Sequence, residues 1–145
     1  MERIGRREFF QRLATVGVVS SPLALSLIGC ATGLVSYAVK ATDGRIVLSI
    51  PDYAELAEVG NGIELEVPPL SDRIVILRTN THSFIALSPV CTHLGCTVRK
   101  EPSFFRCPCH GSTYTLDGRV VRGPAERSLE RYEIQVAGQQ LIIKI

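Results

Sequence analysis

Two patterns of apolar and polar positions divide this chain. From Leu13 to Val39 no charged residue occurs, a run of 27 positions. That exceeds the roughly 20 residues needed to cross a bilayer, and it is too long and unbroken for an ordinary amphipathic helix. Gly17, Pro22, Gly29 and Gly33 weaken it as a soluble helix but are tolerated in a membrane helix. The pattern predicts one transmembrane helix over residues 13–39, acting as anchor or signal.

Beyond Lys40 the pattern changes to short strands with turns between them. Arg45–Ile50 and Ile63–Val67 alternate apolar and polar residues, while Ile74-Val75-Ile76-Leu77 within Arg73–Arg78 is a continuous apolar run and reads as a buried strand. Phe84–Leu87 follows across the turn-like Asn80-Thr81-His82. Near the end, Tyr132–Val136 and Leu141–Ile145 flank Ala137-Gly138-Gln139-Gln140, a hairpin signal. Asp52–Val59 is the one helical turn expected outside the anchor. The expectation is an all-β domain over residues 45–145, a small antiparallel sandwich or barrel near the lower end of what a core sustains unaided.

Charge refines the first segment. The whole chain carries 16 basic and 14 acidic residues, a net +2, which leaves no basic field for nucleic acid. Residues 1–12 hold Arg3, Arg6, Arg7 and Arg12 against Glu2 and Glu8. A positive flank predicts a cytoplasmic N-terminus and an exported C-terminal domain. Arg6-Arg7-Glu8-Phe9-Phe10 resembles the twin-arginine export signal. An ordinary positive flank is the alternative, and the apolar stretch that follows at once favours the signal. Leu27-Ile28-Gly29-Cys30 also resembles a lipoprotein cleavage box. Against cleavage, Ala31–Val39 stays apolar where a mature lipoprotein continues into a polar tether, so Cys30 reads as a small apolar residue in an uncleaved anchor. Residues 40–44, Lys-Ala-Thr-Asp-Gly, are the only polar break before the domain and form the candidate hinge.

Chemistry concentrates in two boxes, Cys91-Thr92-His93-Leu94-Gly95-Cys96 and Cys107-Pro108-Cys109-His110-Gly111-Ser112. They hold four of the five cysteines and two of the three histidines. Each follows a strand, so each is expected to form a loop at the same end of the sheet. A structural zinc module is one reading, since two thiolates and two imidazoles suit tetrahedral zinc. Three features oppose it. Cys-x-His is unusual for a zinc knuckle, Cys96 and Cys109 remain over with one in each box, and an exported domain permits a disulfide. A plain disulfide scaffold leaves both histidines, Gly95 and Gly111 without a purpose.

As they stand, the two boxes resemble those of the Rieske iron–sulfur proteins, most closely the subunit of quinol–cytochrome c reductases of the cytochrome bc type. The resemblance covers about Asp72 to the end. It implies a Rieske-type fold with a cluster-binding subdomain and one two-iron two-sulfur (2Fe-2S) cluster. By that resemblance Cys91 and Cys107 bind one iron through sulfur, His93 and His110 bind the other through ring nitrogen, and Cys96–Cys109 is a disulfide. Ser112 and Tyr114 would donate hydroxyl hydrogen bonds to cluster and cysteine sulfur, stabilising the more negative reduced state. Capping a turn and packing in the core are their alternatives. Gly123-Pro124-Ala125 resembles the proline loop that covers the cluster, and Leu94 would be an exposed apolar tip. Only ten residues, Thr97–Arg106, separate Cys96 from Cys107, which suggests a compact bacterial version. His82 has no partner motif and reads as a surface residue.

Chemistry supports this division, because replacing two thiolates by neutral imidazoles raises a cluster's potential and an imidazole has a second nitrogen that can take a proton. The function implied is electron transfer in a membrane quinol:cytochrome c oxidoreductase, an oxidoreductase of the respiratory chain. Its partners would be quinol, a cytochrome b-type subunit and a c-type cytochrome, with His110 and His93 as the catalytic groups and His110 the one meeting quinol. The chain would sit in the bacterial cytoplasmic membrane with its cluster domain outside. The small subunit of arsenite oxidase is the alternative within the same cofactor class.

Overall fold

The computed structural model describes residues 32–68 and 72–145. Eleven strands are described: β1 Val35–Ala38, β2 Arg45–Ser49, β3 Gly62–Val67, β4 Asp72–Asn80, β5 Ser83–Leu87, β6 Arg99–Lys100, β7 Phe104–Arg106, β8 Thr113–Thr115, β9 Val120–Arg122, β10 Arg131–Ala137 and β11 Gln140–Lys144. They make two sheets. The larger runs β1-β3-β4-β5-β10-β11-β2 and the smaller β6-β7-β8-β9.

Alternation explains the larger sheet. Ile46 and Leu48 of β2, Leu141 and Ile143 of β11, and Ile63, Leu65, Ile74 and Ile76 of β3 and β4 share one buried cluster. β2 and β3 lie near opposite ends of the strand order, so the sheet must curl to bring these side chains together. Its outer face carries the second cluster. Val75 and Leu77 of β4 and Leu87 of β5 pack there with Val98, Phe105, Tyr114 and Leu129. The continuous run Ile74–Leu77 is thereby explained, because alternate residues of one strand fill two different cores. Burying a side chain such as Phe105 contributes about 1.5–3 kcal/mol, so the smaller sheet is held by this shared layer more than by its short strands.

The all-β expectation holds, and the expected strands at 45–50, 63–67, 73–78, 84–87, 132–136 and 141–145 match β2, β3, β4, β5, β10 and β11 to within two residues. The helical turn expected at 52–59 is two short 3₁₀ turns, Ile50–Asp52 and Ala54–Ala57, with Leu56 fully buried. One pairing departs from the antiparallel expectation: β1 runs parallel to β3, with Val35 opposite Ile63 and Ala38 opposite Glu66.

That strand also corrects the expected helix over 13–39. Residues 32–39 belong to the β domain, where Leu34 is buried in the second core and Tyr37 and Val39 pack on the first. Thr32 is fully buried. Its hydroxyl donates to the buried Glu64 carboxylate, its carbonyl accepts from the Lys100 N–H at 2.7 Å, and Glu64 pairs with Arg73 at 3.3 Å. An uncharged stretch can thus be strand as readily as helix once polar partners await its backbone. The rest of the expected helix, Cys30 and the twin-arginine flank lie outside the described residues. No helix among the described residues is long and apolar enough to cross a membrane.

The hinge expected at 40–44 is corrected as well. Thr42 and Arg45 exchange backbone hydrogen bonds of 2.8 and 3.0 Å, and the Ile145 N–H donates to the Gly44 carbonyl at 2.9 Å. Asp43 and Gly44 adopt φ of 51° and 70°, the left-handed pair that Asp-Gly supplies in a tight reversal. Residues 40–44 are therefore a closed turn inside the domain.

Candidate metal centre

Box one occupies the loop between β5 and β6, and box two the loop between β7 and β8. The boxes were expected on one end of one sheet. They hang instead from two different sheets, brought together by the face-to-face packing of Leu87, Val98, Phe105 and Tyr114.

The two loops repeat one backbone design. In the first, the Cys91 N–H donates to the Cys96 carbonyl at 2.7 Å and the Gly95 N–H to the Cys91 carbonyl at 2.9 Å. In the second, the Cys107 N–H donates to the Ser112 carbonyl at 2.8 Å and the Gly111 N–H to the Cys107 carbonyl at 3.0 Å. Gly95 and Gly111 close these turns at φ of 80° and 77°, a region glycine enters without steric cost. Each box thus carries its glycine four residues after its first cysteine for a backbone reason.

Within this frame Cys96 and Cys109 form a disulfide, Cα–Cα 6.5 Å, tying one loop to the other. Cys91 and Cys107 are free thiols, 2% and 1% exposed. The His93 and His110 rings stand edge to face with centroids 4.9 Å apart. His93 is half-buried, and its Nδ1 is buried with no hydrogen-bond partner. His110 is exposed. Cys107 Sγ also lies within 4.8 Å of the Cys96 and Cys109 sulfurs, but their mutual bond leaves those two no thiolate to offer a metal.

The thiols differ in acidity. Burial alone would push the Cys91 thiol up, but hydrogen bonds from the Tyr114 hydroxyl, the His93 backbone N–H, Cys107 and Ser112 outweigh it and bring it below its ordinary range. For Cys107, burial and the adjacent Cys91 win over the Cys109 and His110 backbone N–H groups, and the thiol is raised. Cys91 is the readier thiolate, and metal binding at this pair releases protons.

Tyr114 and Ser112 are fully buried. The Tyr114 oxygen lies 3.2 Å from Cys91 Sγ and accepts from the Thr92 N–H at 3.2 Å. The Thr92 hydroxyl donates to the Arg127 carbonyl at 2.6 Å, so the Tyr114 proton has two acceptors at 3.2 Å, Thr92 Oγ1 and, by donation to sulfur, Cys91 Sγ. Burial and this donation to Cys91 raise the Tyr114 hydroxyl above its ordinary range. Ser112 Oγ accepts from the Ala125 N–H at 3.0 Å, which fastens the loop of Gly123-Pro124-Ala125 beside box two. Thr92 and Arg127, which clamp box one to that third loop, escaped sequence reasoning because a lone threonine between two ligand-type residues carries no periodic signal. Leu94 is 69% exposed, an apolar tip as expected. His82 is an exposed turn residue whose N–H donates to Asn80 Oδ1 at 2.9 Å. It lines a hollow of about 420 Å³ with Tyr53, Arg78 and Phe84 that includes none of the box residues.

Replacing Tyr114 by Phe tests the hydroxyl's role. A hydrogen bond to a sulfur that gains negative charge on reduction favours the reduced state by about 1–2 kcal/mol. At 59 mV per tenfold change, the potential should fall by roughly 40–90 mV at unchanged iron content, as read by redox titration.

Two β sheets presenting paired loops with two free thiols and two imidazoles define a metal-binding protein. The Rieske [2Fe-2S] domain pattern matches residues 51–133, and the chain belongs to that family. The iron–sulfur subunit of the cytochrome b6-f complex of Chlorobaculum tepidum is 30% identical over 142 residues, 97% of this chain and 75% of that one. The menaquinol:cytochrome c reductase iron–sulfur subunit of Geobacillus thermodenitrificans is 49% identical over 74 residues, 47% of this chain and 44% of that one. The crystal structure of the plasma-membrane Rieske protein PetC3 of Synechocystis PCC 6803 superposes with a TM-score of 0.52 at 32% identity, covering 58% of this chain and 86% of that one. Membership implies a 2Fe-2S cluster in place of zinc. The buried, unpartnered His93 Nδ1 and the two unbonded thiols fit that group.

Proposed function

We propose that Cys91 and Cys107, through sulfur, and His93 and His110, through ring nitrogen, hold the cluster, and that the chain is the electron-transfer subunit of a membrane quinol:cytochrome c oxidoreductase. When bound, the cluster supplies a store for one electron. The carrying observation is the asymmetry of the histidines: the exposed His110 stands against the half-buried His93, 4.9 Å away.

The protein's own residues do the rest. Held to iron through one ring nitrogen, His110 accepts a hydrogen bond from the quinol hydroxyl, and then its proton, at the outward nitrogen in the form in which that nitrogen carries no proton. Leu94 supplies an apolar contact for the quinol ring beside it. Tyr114 and Ser112 offer donors to the sulfur side and favour the reduced state. The disulfide and the Thr92–Arg127 contact hold the three loops in register. The partners are a cytochrome b-type subunit, which takes quinol's second electron, and a c-type cytochrome, which receives the first.

Placement at the cytoplasmic membrane, with the domain outside, rests on the arginine flank and on residues 13–31. These 19 uncharged positions remain close to the roughly 20 of one span. The names of the Chlorobaculum and Geobacillus relatives support the quinol reading over the arsenite one. Membranes from cells lacking the chain should lose quinol-dependent reduction of their c-type cytochrome and regain it on re-expression. Unchanged quinol oxidation, with arsenite oxidation lost instead, would overturn the proposal.

A further inference from the structure

The smaller sheet covers the second core with one face and turns a row of arginines outward with the other. Arg99 of β6 lies opposite Arg106 of β7, Arg106 opposite Thr113 of β8, and Thr113 opposite Arg122 of β9. Directly opposed residues have Cβ atoms about 4.5–5.5 Å apart, so the Cβ atoms of the three arginines cross the sheet within about 15 Å. All three arginines are exposed. Among the described residues none of them makes an ion pair or a side-chain hydrogen bond; the salt bridges involve Arg73, Arg119, Arg131 and Lys144 instead. The acidic residues close in sequence, Glu101 and Glu126, form no pair with them. Like charges directly opposed destabilise a sheet, so Arg99 facing Arg106 without an acid is a small cost to the fold that an anionic partner would relieve.

The chain's exit point says which partner. Thr32, the first described residue and itself within the uncharged run 13–39, is hydrogen-bonded through its carbonyl to the Lys100 N–H, at 2.7 Å. Lys100 adjoins Arg99 on β6, an edge strand of this sheet. Any anchor formed by residues 13–31 therefore ends one hydrogen bond from the arginine-bearing sheet. Attraction to an anionic bilayer fades within a Debye length of about 8 Å at physiological ionic strength, and this attachment brings the row towards that range. Arginine binds phosphate through two parallel N–H donors.

We propose that Arg99, Arg106 and Arg122 form a docking face for anionic phospholipid headgroups, holding the cluster domain against the membrane in one orientation. The anchor itself rests on the proposed function; the charge row does not. Each arginine near an anionic surface multiplies the docked-to-free ratio about fivefold, and three together about a hundredfold.

The test uses the full, cluster-loaded chain in vesicles of phosphatidylcholine, with and without about a third phosphatidylglycerol. Arg99→Ser with Arg122→Ser removes two of the three charges and leaves Arg106, the neighbour of Cys107, in place. An unchanged visible spectrum establishes that this variant retains its cluster. Orientation is read from the angular dependence of the reduced cluster's paramagnetic resonance in stacked membranes. A fixed orientation is expected with phosphatidylglycerol at low salt. It should be lost in phosphatidylcholine alone, at high salt and, by about 25-fold in docked population, in the double variant. Equal ordering in both lipids, or ordering indifferent to the substitutions, overturns the proposal. So does slower electron delivery to an acidic acceptor protein without any lipid dependence, which would assign the face to a protein partner. Retention on vesicles after an alkaline carbonate wash reports the anchor separately. If carbonate releases the chain, the anchor reading fails, and docking is decided by whether salt-sensitive sedimentation requires phosphatidylglycerol and both arginines.

Discussion

A Cys107→Ser chain should come out of expression without iron or sulfide and without visible absorption, where the parent carries both. Cys107 is 1% exposed and sits at the head of a turn whose backbone bonds do not involve its side chain. Serine therefore keeps the loop but replaces a polarisable thiolate by a hydroxyl that stays protonated. Burial already raises the Cys107 thiol, and the metal must displace that proton; from serine the same displacement is far more costly. Because a metal that binds only the folded chain stabilises it, the variant should also melt well below the loaded parent. Iron and sulfide analysis with a thermal melt checks both. Full iron content in Cys107→Ser would remove this residue from the ligand set.

Changing Cys96 and Cys109 together to Ala should give a different result: a chain that takes up its cluster and then loses it. The four proposed ligands remain, but the covalent tie between loops from two different sheets is gone. The bridge closes a loop with a sequence separation of 13, for which chain entropy alone gives about 3 kcal/mol. For a domain of this size each kcal/mol corresponds to about 4–8 °C in melting temperature. The loaded variant should then melt roughly 12–24 °C lower and bleach faster. A melting temperature within about two degrees of the parent would mean that the sheet packing alone fixes the loops. Reduction of the intact chain is a harsher treatment, because it releases two thiols within 4.8 Å of Cys107 Sγ that can compete for metal.

Different physical signals account for what could and could not be read in the sequence. The six longer strands were legible because alternation reports burial on one face and Ile74–Leu77 reports burial on both. The smaller sheet was not: β6 to β9 hold two or three residues each, too few to show a period, and they exist because the larger sheet offers them an apolar face. β1 was read as helix because absence of charge is a statement about composition, and only the partners at Glu64, Lys100 and β3 make it a strand. The turn at 40–44 was read as a hinge for a similar reason, since polarity does not reveal that Asp43 and Gly44 close a tight reversal.

The site was more legible than the fold around it. Cys91, His93, Cys96, Cys107, Cys109 and His110 lie together on the two loops, and Ser112 and Tyr114 are buried beside them. Thr92, Arg127 and Ala125 needed the structure, because their contacts are made through backbone carbonyl and amide groups that no residue type announces. The short Thr97–Arg106 stretch between the boxes is a minimal hairpin of β6 and β7.

The central claim is that two thiolates and two imidazoles hold one two-iron two-sulfur cluster. It is tested most directly on the loaded chain grown with ¹⁵N-histidine, by recording nitrogen hyperfine couplings in the reduced state beside iron and sulfide analysis. The account predicts two iron and two sulfide per chain, with couplings from two histidine nitrogens that vanish when only the other residues are labelled. Bound zinc without sulfide, or a reduced cluster with no histidine coupling, would contradict it.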